Sequence, residues 1–96
     1  MFATPAEIVR SVAGKIRVLR LEAGWSQEEL ARRAGIAPET YKRFERTGQV
    51  SFERLVRAAV ALGRADEIAA MFERAEVESP PQLADEAPKR KRGRSL

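Results

Sequence analysis

The sequence predicts an all-α protein, a compact five-helix bundle followed by a disordered basic C-terminal tail. Three observations carry this expectation. Apolar residues recur every three to four positions from the N-terminus to about Ala75, and no stretch alternates with the period of a strand. Helix-start signatures at Thr4, Ser26 and Ser51 are each followed by a glycine where a helix would end, at Gly24, Gly35 and Gly63. From Glu78 onward the composition turns to Ser, Pro, Gln and charge, with Leu83 as the one large apolar residue before Leu96. The domain is therefore expected over residues 1–77 and the tail over 78–96.

The first helix opens at Thr4-Pro5-Ala6-Glu7, where Thr4 caps, Pro5 suits the first helical position and Glu7 completes a capping box. Ile8, Val12, Ile16 and Leu19 form its apolar face. Ser26-Gln27-Glu28-Glu29 is a second capping box, opening a short helix with Leu30, Ala31 and Ala34 inward and Gly35 at its end. Trp25, just before the cap, is placed as a hydrophobic staple on Leu30 or its neighbours. Pro38 starts a third helix with Tyr41 and Phe44 as its apolar pair and Lys42, Arg43 and Arg46 on other faces. Ser51 caps a fourth, expected to bury Phe52, Leu55, Val56 and Ala59. A fifth from about Ala65 presents Ile68, Met71 and Phe72.

The chain of 96 residues holds no cysteine and no histidine, which removes disulfides, the common zinc sites and histidine bases together. It also has no glycine-rich phosphate loop and no carboxylate pair outside solvated helical faces, so neither an enzyme nor a cofactor is expected. No apolar run is long enough to span a bilayer and no secretory signal pattern precedes the first helix, so a cytoplasmic location is expected. Lys and Arg outnumber Asp and Glu by 18 to 14. The excess is shared equally, 13 against 11 in residues 1–77 and 5 against 3 in 78–96, so the placement of charge matters more than its sum.

Residues 27–46, QEELARRAGIAPETYKRFER, carry the strongest functional signal. Ala31 is small where two helices would meet, Gly35 lies in the turn, and Leu30, Ala34, Ile36, Tyr41 and Phe44 are spaced to join the two helices. This segment resembles the helix-turn-helix of the Cro and phage-repressor type, the Xre family, with a recognition helix at about 38–46. The likeness covers residues 15–63. Tyr41 departs from the family's usual Ile or Val, and the turn Arg46-Thr47-Gly48 is one residue longer than its common Glu-Asn-Gly, an insertion expected to fall in a loop.

The resemblance implies double-stranded DNA as partner, with the second motif helix in the major groove and the first crossing the backbone. Pro38, Glu39 and Arg43 match the base-reading positions. Arg43 can donate two hydrogen bonds to guanine, Glu39 can accept from cytosine, and Pro38 offers an apolar contact only. Gln27 matches the residue that holds a phosphate at the helix N-terminus, and Thr40, Lys42 and Arg46 are implied phosphate or flanking-base contacts. Arg20 and Glu45 match a buried salt bridge between the first and third helices.

Other charges have solvated readings first. Glu28, Glu29, Arg32 and Arg33 are spaced for pairs along one helical face, while Arg54 and Arg57 fit the surface or a phosphate equally. Ile68, Met71 and Phe72 are assigned to a homodimer contact, because paired domains read half-sites one helical turn apart. Lys89, Arg90, Lys91, Arg92 and Arg94 suit a phosphate-binding arm, against a segment for a protein partner or a solubilising end. The functional expectation is a sequence-specific dimeric repressor on a palindromic operator. The alternative is an antitoxin that also neutralises a protein toxin, since Phe44-Glu45-Arg46-Thr47-Gly48, a short fifth helix and a Pro-containing tail resemble the partners of HipA-type kinases.

Overall fold

A computed structural model describes residues 3–74, in which five helices follow one another: α1 Pro5–Glu22, α2 Gln27–Ala34, α3 Pro38–Thr47, α4 Phe52–Ala61 and α5 Ala65–Ala69. The described residues contain no strand. The all-helical, five-helix expectation holds. The tail and the boundary at residue 77 lie outside the described residues.

Local chemistry explains the ends of these helices. Thr4 Oγ1 accepts from the Glu7 N–H at 3.1 Å while Glu7 Oε1 accepts from the Thr4 N–H at 3.1 Å, a complete capping box. At α2 only half of the expected box forms. Ser26 Oγ accepts from the Glu29 N–H at 3.0 Å, but the Glu29 carboxylate is drawn away to Arg32 and Arg33, at 2.5 and 2.6 Å. Two charged partners outcompete one backbone N–H. Ser51 caps α4 through the Arg54 N–H.

The core forms around the short helices. Leu30 and Ala31 of α2 are fully buried, with Tyr41 and Phe44 of α3, Ala58 of α4, and Ala13 and Ile16 of α1 packed about them. α2 lies against α3 and α4, and α1 against α3. The Tyr41 and Phe44 rings meet at 5.8 Å with a 60° tilt, a favourable aromatic geometry. Trp25 packs against the edge of this core, and the Arg33 guanidinium stacks over its ring at 4.2 Å.

The structure departs from the expected burial along α1, α4 and α5. Ile8 and Phe52 are more than half exposed, and Leu55 and Val56 only partly covered. Among the described residues α5 has only five residues, none of them buried. Met71 and Phe72 follow α5 in a turn and do not extend it. The extra residue expected in the loop after the third helix is instead absorbed by α3, which runs to Thr47 and ends at Gly48 with φ 84°.

Candidate nucleic-acid interface

The approach of α3 to α2 is set by small residues and one left-handed turn. Ala31 and Ala34 leave room for the second helix, and Gly35 reverses the chain at φ 69°, ψ 36°, a conformation that costs a residue with a side chain about 1–2 kcal/mol. The Ile36 N–H then donates to the Ala31 carbonyl at 2.9 Å, and Ile36 is buried beside it. Pro38 begins α3 with no N–H to leave unsatisfied.

This arrangement turns Tyr41 and Phe44 inward and leaves Pro38, Glu39, Arg43 and Arg46 exposed. Glu39, Arg43 and Arg46 are spaced to share one stripe along the outer face of α3. Thr40 and Lys42 flank it, each partly covered.

Beneath the stripe, three side chains, one from each of α1, α2 and α3, converge on the Glu45 carboxylate. Arg20 Nε donates to Glu45 Oε2 at 2.7 Å and Arg20 Nη2 to Oε1 at 3.0 Å, a bidentate pair whose side chains are 8% and 5% exposed. Arg20 Nη1 also donates to the Trp25 carbonyl at 2.8 Å. Gln27 Nε2 donates to Glu45 Oε1 at 2.9 Å, and the Tyr41 hydroxyl donates to Oε2. Burial pushes the Glu45 carboxyl up, but the hydrogen bonds from Arg20, Tyr41 and Gln27, with the charge of Arg20, hold it below its ordinary range. Burial, the bond to Glu45 and the nearby negative charge push the Tyr41 phenol up. The Arg20 guanidinium is raised chiefly by its bond to Glu45.

The other motif side chains are also held before any ligand arrives. Lys42 Nζ lies 2.8 Å from Glu28 Oε2 and 3.8 Å from Glu39 Oε2, and its bond to Glu28 raises the ammonium while lowering that carboxyl. Glu28, read along the sequence as part of a solvated face of its own helix, thus bridges α2 to α3. Arg43 Nη2 donates to Gln49 Oε1 at 2.6 Å, which ties α3 to the loop before α4. Thr47 accepts from the Gln49 N–H and donates to the Arg43 carbonyl, fixing that loop.

Lys89, Arg90, Lys91, Arg92 and Arg94 lie outside the described residues. Arg17, which sequence reasoning passed over, borders a shallow depression with Gln27, Lys42, Glu45 and Arg46. Its spacing three residues before Arg20, on the same side of α1, was the available signal.

Residues 16–67, more than half of the chain, match the helix-turn-helix family model HTH_3. The chain belongs to this helix-turn-helix family. Its match runs from α1 through α5 and so includes the whole arrangement of α2, α3 and the Arg20–Glu45 pair. As an HTH_3 member the chain is a DNA-binding regulator of the Cro and phage-repressor type. No curated protein matches it. Among the described residues no group of acidic, histidine or cysteine side chains could hold a metal ion, and no helix is long and apolar enough to cross a membrane.

Proposed function

We propose that this HTH_3 protein is a sequence-specific reader of double-stranded DNA, acting as a dimeric repressor with one half-site of a palindromic operator per copy. The observation that carries the reading is the exposed stripe of α3 set on a carboxylate that α1, α2 and α3 share. Arg43 addresses guanine, Glu39 addresses the amino group of cytosine, and Pro38 contributes apolar contact in the major groove. Gln27 at the head of α2, with Thr40, Lys42 and Arg46, holds the flanking phosphates. Arg17 joins them from α1 across the depression it shares with Gln27 and Arg46. The tail cations supply further phosphate contacts, and Ile68, Met71 and Phe72 meet the second copy.

Selection of bound sequences from a random duplex pool tests this. A palindromic pair of half-sites one helical turn apart is expected. Recovery of no preferred sequence removes the reading. The five-residue α5 favours a second reading, an antitoxin whose C-terminal portion engages a protein toxin. A toxin reading frame beside this gene, and co-purification of its product, distinguish the two.

A further inference from the structure

Glu28 has a partner within its own helix that it does not use. Arg32 follows it by four residues on α2, the spacing that favours an ion pair along one face. In the structure Arg32 is taken by Glu29 at 2.5 Å, and Glu28 turns across to α3, where its Oε2 lies 2.8 Å from Lys42 Nζ. A second carboxylate, Glu39, stands 3.8 Å from the same ammonium. Lys42 thus meets two anions of its own chain.

Lys42 also borders the depression it shares with Arg17, Gln27, Glu45 and Arg46. Of the three cations at that rim, Lys42 alone is ion-paired among the described residues. Arg17 and Arg46 are ready for an anion while Lys42 is already engaged. Glu28 belongs to the first turn of α2, where unpaired backbone N–H groups and the helix dipole favour negative charge. A DNA phosphate is drawn to the same two features, a helix N-terminus and an ammonium, and Glu28 occupies both.

We propose that Glu28 is a built-in substitute for a DNA phosphate, which holds Lys42 away from the backbone and so limits affinity that does not depend on sequence. The proposal rests on the reading of this surface as the one that meets DNA, and adds a residue that restrains it. Lys42 reaches a phosphate only by leaving Glu28, whose carboxylate then stands beside a phosphate of like charge. Binding to random duplex is essentially phosphate binding, so restraint of one cation weighs on it directly. The base contacts proposed for Arg43 are untouched.

Full-length chains carrying Glu28→Gln, Lys42→Gln or both are titrated with a random-sequence duplex at several salt concentrations. Glu28 is exposed and Ser26 caps α2 through the Glu29 N–H, so the helical circular dichroism should persist in each. Glu28→Gln is expected to tighten binding roughly three- to tenfold near about 0.1 M salt and to steepen the slope of log K against log salt by about 0.9, the value of one phosphate contact. In the Lys42→Gln background the same substitution should change neither. An equal gain in both backgrounds overturns the proposal, because it would reflect plain repulsion between Glu28 and DNA. An unchanged slope in Glu28→Gln also overturns it, and with a lowered thermal midpoint leaves Glu28 as a bridge that serves the fold alone. Sequence selection scores the two ideas apart. A wild-type chain that selects a palindrome while Glu28→Gln gains nothing removes the restraint and keeps the reading of α3. A gain that requires Lys42, in a chain that selects no sequence, keeps the restraint and removes that reading. Failure of every chain to bind duplex overturns both.

Discussion

The Tyr41 hydroxyl donates to Glu45 Oε2, the same oxygen that receives Arg20 Nε, so α3 is pinned from its own interior as well as from α1. Tyr41→Phe removes a hydrogen bond to a charged acceptor and should cost about 1.5–3 kcal/mol in urea unfolding. Because the phenol is raised in the folded chain, its contribution is complete below the ordinary phenol range near about 10 and is lost as pH rises beyond it. Wild type should therefore lose stability above about pH 10 more steeply than Tyr41→Phe. Parallel curves would show that the phenol titrates alike in both states.

Arg20→Ala leaves the Glu45 carboxylate buried without its main cation and should cost about 3–5 kcal/mol. Loss of DNA binding in this variant would accompany loss of the helical signal. Glu45 itself is lowered in the folded chain, so its contribution is complete above the ordinary carboxylate range near about 4.3 and fades as pH falls through the folded value. The stability gap between wild type and Glu45→Gln should narrow on acidification. A gap constant with pH would mean that the carboxylate's charge contributes nothing.

Arg43→Ala should stay folded and lose about 1–3 kcal/mol of discrimination per half-site, read as the ratio of specific to random-duplex affinity. An equal loss on both duplexes would assign Arg43 to phosphate instead.

Removal of residues 88–96 should flatten the dependence of affinity on salt while leaving the preferred sequence in place, because phosphate contacts release counterions and carry no base information. An identical salt slope with and without the segment would remove Lys89, Arg90, Lys91, Arg92 and Arg94 from the contact set.

What could be read in the sequence was what local rules determine. Thr4, Ser26 and Ser51 accept backbone N–H groups as their types predict, and Gly35 sits in the left-handed turn that its place between two helices demands. Periodicity located the faces of α1 and α4 but could not say whether anything covers them. That is why Ile8 and Phe52, both on apolar faces, stand exposed. The links of Lys42 to Glu28 and of Arg43 to Gln49 join separate elements, so no single helical repeat announces them. The left-handed Phe72 defies residue preference altogether.

The bond between Arg43 and Gln49 also shifts when a cost is met. A long side chain frozen on binding forfeits about 0.5–1.5 kcal/mol of rotamer freedom, whereas Arg43 has surrendered much of its freedom during folding. If Arg43 reads DNA as proposed, its guanidinium would meet the groove already ordered by a loop amide that need touch no base. Under the proposed reading, a substitution at position 49 is expected to change how tightly an operator is held without changing which operator is chosen.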